Sequence, residues 1–422
     1  MLNTPEPRKT RLPFEVWALV AGGFTVALGY GVVAPVIPQF ALEFGVSNFA
    51  ASAIVSAFAL MRVVSAPVAG RVIDRFGERR TYIAGILIVA LSTGASALAV
   101  DYVQFLVLRG AGGIGSALFT IAATALLIKV SPPDARARVA SLNAAGFLLG
   151  GLLGPVFGGI VTAFGLRAPF VFYFLTLLAA ATVVAVALRG SRHASKSLPQ
   201  PGAAAPVGFR AALNIPQYRA LLLSVFAFGW TSFGVRVSVI PIFVVVGLHG
   251  DPATAAWVLA AYAAGNAALI FPAGRWGDTM GRKPLLVTGL LVLTITYLLV
   301  PTAPVLWATL ALMALAGVGS ALVNPAQQAV LADVLAQRRG GNVVAAYSMA
   351  SDLGGVLGPL IAGALLDAAG FGWAFSVTAA LLAAATLTWA LVPDSRRIQT
   401  VDPAEEEPTE TVPGSGPDHI KG

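Results

Sequence analysis

The sequence predicts an all-α membrane protein: twelve transmembrane helices arranged as two parallel six-helix repeats. Three observations carry that fold class. The 422 residues are 57% hydrophobic and 11% charged, with a mean hydropathy of +0.82, whereas soluble domains carry about 25% charged residues. Apolar windows of about 20 residues, enough to cross roughly 30 Å of hydrocarbon as a helix, recur throughout. Shifting the chain by 204 residues brings four separate regions into coincidence.

The windows fall at 14–38, 49–69, 82–100, 103–128, 139–163, 169–188, 219–247, 254–273, 284–301, 304–329, 343–367 and 372–392. Their Gly, Ala, Leu and Val content suits helices that pack through small residues, and transmembrane strands would instead alternate over about ten residues. The first window follows a short basic leader (1–13), exceeds a signal-peptide core and lacks a small-residue cleavage site, so it reads as a retained helix. Residues 14–188 form the first bundle and 219–392 the second. The polar linker between them, 189–218, is rich in Pro, Gly and Ser. The tail, 393–422, contains PAEEEPTE and reads as disordered.

The doubling is explicit. GIGSAL (113–118) meets GVGSAL (317–322), GGLLGP (150–155) meets GGVLGP (354–359), and LLAAAT recurs at 177–182 and 381–386. Gly70 and Asp74 meet Gly274 and Asp278. An even number of helices per half keeps both halves in one orientation, and transporters built from parallel repeats hold their substrate between the halves near the midplane.

Charge confirms the membrane class. A pI near 10.0 often signals nucleic-acid binding, but with a cytoplasmic N-terminus 23 of the 27 basic residues fall in cytoplasmic segments, and Arg167 lies in an outer loop. That bias places both termini in the cytoplasm and excludes nucleic acid as the partner. Cysteine is absent, and His193, His249 and His419 are far apart, so thiol chemistry and a metal cluster are not expected. No nucleophile–base constellation marks an intramembrane enzyme. The expected partners are the lipid bilayer and a small-molecule substrate, with no cofactor beyond a proton gradient and a monomeric state.

Several motifs point further. GRVIDRFGERR (70–80) follows the second span and GRWGDTMGRKP (274–284) follows the eighth. LGYGVVAPVIP (28–38) puts prolines in the first span, where freed carbonyls need neighbours or water. RGAGGIGSA (109–117) lies in the fourth span; it also spells a dinucleotide fingerprint, but with no strand before it that identity is rejected. GFLLGGLLGPVFGG (146–159) gives the fifth span Gly150, Gly154, Pro155, Gly158 and Gly159, a flat face for a close neighbour.

On these strings the whole chain resembles the major facilitator superfamily, and within it the twelve-helix drug:proton antiporter group. The resemblance implies that Gly70, Asp74, Arg75 and Gly77, and in the second half Gly274, Asp278, Gly281 and Arg282, form gating turns, with Asp74 locking the halves against the start of the eleventh span. Glu78 departs from the basic residue usual there. The glycines of the fifth span resemble the exporter element, and Arg109 resembles the arginine of the antiporter motif, with Gly112 in place of its glutamine. Arg109 is therefore expected in proton coupling.

Charges at membrane depth are costly unless paired or hydrated. They are Arg62 in the second span, Arg109 in the fourth, Arg236 in the seventh and Asp352 in the eleventh. Arg62 and Asp352 come to similar depth, so an ion pair between the halves, released when Asp352 is protonated, is expected. Arg236, preceding Pro241, is the expected substrate contact, with Arg109, Tyr30, Trp230, Asn324, Gln327 and Gln328 as further candidates. The first span holds no deep carboxylate, since Glu15 and Glu43 lie at its ends. Three arginines against one aspartate favour neutral or anionic amphiphiles. Proton-coupled efflux is the expected function; uptake of an anionic metabolite by symport and a non-transporting sensor are the alternatives.

Overall fold

In hydrocarbon a chain must satisfy its own backbone, and apolar segments do so as helices. The structure, a computed structural model, describes residues 12–132, 135–189, 209–335 and 341–394. The N-terminal segment, most of the expected linker (190–208) and the tail from 395 lie outside the described residues.

The first half comprises α1 (Phe14–Val33), α2 (Ile37–Leu42), α3 (Asn48–Phe76), α4 (Glu78–Ser96), α5 (Tyr102–Val130), α6 (Arg136–Thr162) and α7 (Ala168–Ala187). After a short α8 (Phe209–Leu213) come α9 (Pro216–Gly229), α10 (Arg236–Ile242), α11 (Pro252–Met280), α12 (Arg282–Leu299), α13 (Leu306–Leu335) and α14 (Gly341–Leu391). The first span is not one helix: it turns at Ala34–Val36, where Pro35 has no N–H to give, and restarts as α2. The seventh is α9 and α10 joined by a π-helical turn at Trp230–Val235 and followed by another at Phe243–Gly247.

Ten helices among the described residues are long and apolar enough to cross a membrane. The last of them, α14, is two crossings. Gly370 (φ 81°) breaks its 51 residues, and Trp230 touches both Gly354 before the break and Thr378 after it, so the two arms lie side by side. Adding α4, whose first turn Glu78-Arg79-Arg80 dilutes its hydropathy, makes twelve. Several helices overrun their apolar windows, α3 by seven residues to Phe76. Hydropathy marks the hydrocarbon, while helical hydrogen bonds continue into the polar boundary.

The 204-residue register recurs in three dimensions. Helices α3 and α11 both have 29 residues and begin at 48 and 252; α5 and α13 begin at 102 and 306. Gly77 and Gly281 both turn the chain at positive φ, 80° and 106°. Gly113 lies against the Phe58 carbonyl and Gly317 against that of Tyr262, again 204 apart. Across the two halves α3 packs on α14 and α6 on α11.

The antiparallel helices give the bundle two unlike ends. Gly77, Lys129, Arg282 and Lys283 lie at a basic end. Glu43, Asp101, Asp251 and Asp367 lie at the other, the acidic end. Asp101 caps α5 by accepting from the Gln104 N–H at 2.8 Å, and Asp251 caps α11. Anionic caps suit the positive ends of helices that start there. The Asp251 carboxyl is held below its ordinary range, first by the Thr254 hydroxyl and then by the Thr254 N–H.

The glycine contacts are testable. Gly113→Ala and Gly317→Ala each drive a methyl into a backbone carbonyl that cannot rotate away, and each should cost about 1–3 kcal/mol, as overpacked sites do. A Cβ on Gly70 meets nothing within 4 Å, so Gly70→Ala should instead gain about 0.4–1 kcal/mol. Thermal unfolding in detergent measures both.

Candidate functional site: a cationic cavity between the halves

The glycines of α6 build one wall. Added side chains on Gly150, Gly154 and Gly158 would strike the carbonyls of Phe24, Leu28 and Val32, so these three weld α6 to α1 within one half. Pro155 joins that seam beside Gly31. Gly159 faces elsewhere, against Trp257 of α11 in the second half. The motif thus contributes one seam inside a half and one contact between halves.

Beside this wall, between the halves, is a cavity of about 350 Å³. Tyr30, Phe58, Phe147 and Phe233 give it aromatic sides, and Arg62, Arg236 and Asp352 give it charge. Arg62 sits at the centre of α3, fourteen residues from either end, or about 21 Å by helical rise. That is deeper than its apolar window implied. Its Nη2 donates to Asp352 Oδ1 at 2.5 Å, joining the two halves at the cavity surface. The side chains remain 42% and 26% exposed.

Arg236 follows the π-helical turn, which shifts its register on the helix. Its Nε donates to the Ser232 carbonyl at 3.0 Å, and its guanidinium lies 4.3 Å from the centre of the Tyr262 ring. Arg109 is stacked likewise, 4.7 Å from the Phe58 ring centre. It is only 3% exposed and lies behind the wall that Phe58 presents. No carboxylate pairs with it among the described residues, and its Nε finds no acceptor. Phe58 and Tyr262 are 204 residues apart, so each half sets an arginine on the equivalent ring, but from different spans. Such stacking is worth up to about 2 kcal/mol when desolvated, which leaves the region with more positive charge than Asp352 alone can balance.

Other candidates lie elsewhere. Trp230 is 4% exposed and donates its indole N–H to Thr378 Oγ1 at 3.1 Å, a packing contact away from the cavity wall. Gln327 is 1% exposed and donates to Ser224 Oγ. Asn324 and Gln328 are not part of the wall, and Gln328 is exposed. The aromatic walls Phe58, Phe147 and Phe233 were not singled out from sequence, because a phenylalanine in an apolar span carries no mark of which way it faces.

At the basic end the repeated turn holds each half to itself. Arg79 donates to the Ala185 carbonyl at 3.0 Å, and its counterpart Lys283 to that of Ala390 at 2.7 Å, each covering the end of its half's last helix. Glu78 pairs with Lys129 at 3.2 Å, and Arg282 with Asp333 at 3.4 Å. These are the same two positions, 204 residues apart, with their signs exchanged. The basic residue usual at position 78 is thus replaced by an acid that has its own partner. Arg75 lies over Phe76, 5.5 Å from the ring centre. Asp74 is exposed and makes no hydrogen bond or ion pair among the described residues, and the segment just before the eleventh span, 336–340, where its expected partner lies, falls outside them. Gly70 and Gly274 likewise face open space rather than a neighbouring helix. The Asp278 side chain lies outside the described ones.

Comparison with known proteins agrees with this architecture. The chain is 26% identical over 378 residues to Multidrug resistance protein 1 of Bacillus subtilis (strain 168), covering 88% of this chain and 95% of that one. It is 33% identical over 167 residues to Multidrug resistance protein 2 of the same organism, a match spanning 42% of that protein. It is 23% identical over 358 residues to Quinolone resistance protein NorA of Staphylococcus aureus (strain MRSA252), covering 84% of this chain and 90% of that one. The fold is similar to that of a bacterial homologue of the human lysosomal transporter Spinster, with a TM-score of 0.74 and 19% identity over 91% of this chain and 97% of that one. The Major Facilitator Superfamily profile matches residues 19–248 and 221–417. With that profile spanning both halves, the chain belongs to the Major Facilitator Superfamily.

Proposed function

We propose that this protein expels small amphiphilic compounds, neutral or anionic, across the cytoplasmic membrane in exchange for protons, by alternating access. The observation that carries the proposal is the Arg62–Asp352 pair, which spans the two halves at the surface of the cavity. Protonating Asp352 removes the charge that holds Arg62, so a proton weakens a tie between the halves at the place where substrate binds. The relatives named for multidrug and quinolone resistance support efflux as the direction. The basic end of the bundle would face the cytoplasm, and the aromatic walls would take the apolar body of the substrate. Arg109 would add positive potential from behind Phe58.

A second reading, proton-coupled uptake of an anion, has one observation in its favour. Arg109 and Arg236 lack a carboxylate partner among the described residues. A cavity this positive binds an anion more tightly once Asp352 is neutral, and co-binding of proton and substrate is the sign of symport, whereas exchange requires that one hinder the other. The two readings therefore differ in how acid changes affinity. In everted vesicles from a host lacking its own pumps, efflux predicts that a neutral fluorescent dye accumulates under an imposed proton gradient. It also predicts that dye binding weakens as pH falls. Tighter binding at low pH, with no accumulation, would establish uptake instead.

Asp352→Asn should abolish gradient-driven movement while sparing dye counterflow, which needs no proton; retention of gradient-driven movement excludes Asp352 as the coupling group. Arg62→Ala, Asp352→Ala and the double variant should show a coupling of about 0.5–3 kcal/mol in thermal stability, the range for groups in direct contact.

A further inference from the structure

We propose that Asp367 is a positioning residue for transport: it closes the acidic end of the path by capping a helix that belongs to the opposite half. Any helix begins with N–H groups that lack partners within it. At the start of α3, Ser47 provides for one of them: its Oγ accepts from the Ala50 N–H at 3.3 Å, while its carbonyl takes the first intrahelical bond, from the Ala51 N–H at 3.0 Å. Two more are met from the second half. Asp367 Oδ1 accepts from the Asn48 N–H at 3.0 Å and from the Asn48 side-chain amide at 2.8 Å, and Oδ2 accepts from the Phe49 N–H at 2.8 Å. Both oxygens of one carboxylate are thus committed to a helix terminus some 319 residues away, at its positive end, where such bonds are strongest.

Below this cap the α3–α14 seam stays closed toward the cavity. Gly363 packs on Ser52 so closely that a side chain there would meet the Ser52 hydroxyl and the Phe49 backbone. Ser56 donates to the Val356 carbonyl at 2.7 Å, and the Arg62–Asp352 pair follows. The cap is not a by-product of the internal repeat. The residue 204 positions before Asp367 is Ala163, and at that seam α11 is capped from its own loop, with the Asp251 Oδ1 accepting from the Thr254 N–H at 2.7 Å and the Thr254 hydroxyl at 2.6 Å. Helix α6 meets α11 there through Gly159 and Trp257 instead. At the acidic end, among the described residues, only one of the two seams is therefore held by a carboxylate that crosses it. For the cavity to reach the acidic side, α3 must leave α14, and Asn48 and Phe49 must give up their acceptor. The cap therefore favours the closed arrangement without involving substrate or proton.

The chain contains no cysteine, so an introduced one is its sole thiol. Val55→Cys sits in the cavity wall on the acidic side of Phe58, and Ser351→Cys in the wall contributed by α14. In full-length protein in sided membranes, a membrane-impermeant sulfonated maleimide applied from the acidic side should label Val55→Cys about tenfold faster once Asp367→Ala is added. Applied from the basic side, it should label Ser351→Cys more slowly. Asp367→Asn, which keeps an acceptor oxygen without the charge, should give an intermediate rate and guards against a misfolded alanine variant. Asp101→Ala removes a cap at the same end of the bundle but from α5, within the first half, and should leave both rates within about twofold. Parent-like labelling with Asp367→Ala overturns the proposal, as does acceleration at both cysteines or an equal effect of Asp101→Ala, since these mean a general loosening of the acidic end. Labelling needs neither substrate nor gradient, so the result stands whether or not transport proves to be proton-coupled.

Discussion

An arginine or aspartate alone in hydrocarbon is costly to hold, and the arrangement around this cavity follows from how that cost is met. Arg62 meets it by reaching across to Asp352 of the other half. Arg236 meets it with a backbone carbonyl and the face of Tyr262, and Arg109 with the face of Phe58. Only the first solution links the halves, and it is the one a proton can undo. The other two hold their charge within a single half each, and together they leave positive potential at the cavity.

Close backbone approach supplies the rigid bodies on which that chemistry rests. Gly150, Gly154 and Gly158 put α6 on the carbonyls of α1, while Gly85 and Gly289 sit on the carbonyls of Gly115 and Gly319 in their respective halves. Within lipid, where apolar burial drives little association, such dispersion contacts are what hold a bundle together. The seams between halves are different in kind. They add polar ties, Arg62 to Asp352 and Asp367 to the start of α3, to the glycine contacts at Gly363 and Gly159.

Much of this was legible in the sequence, for a physical reason. Apolar windows are unmistakable at 11% charge, a fixed offset exposes the doubling, and so few charges lie within the spans that Arg62 and Asp352 had few partners to choose from. What escaped notice depends on facing rather than type. Trp230 looked like a cavity aromatic and is a packing residue, because the π-helical turn and the doubled-back α14 decide its direction. Asp367 carries no mark in the sequence, because its partners are chiefly backbone N–H groups, which no sequence pattern displays. The length of α3, and with it the depth of Arg62, was underestimated because the helix does not stop where the hydrocarbon does.

The exchanged signs at the basic end bear on how a duplicated chain assembles correctly. Two halves so alike could trade hairpins during insertion, with α4 settling against α13 or α12 against α5. The first error would bring Glu78 beside Asp333, two acids; the second would bring Arg282 beside Lys129, two bases. Correct pairing attracts and each mistaken pairing repels. A single reversal of polarity thus gives each half a mark of its own at this end.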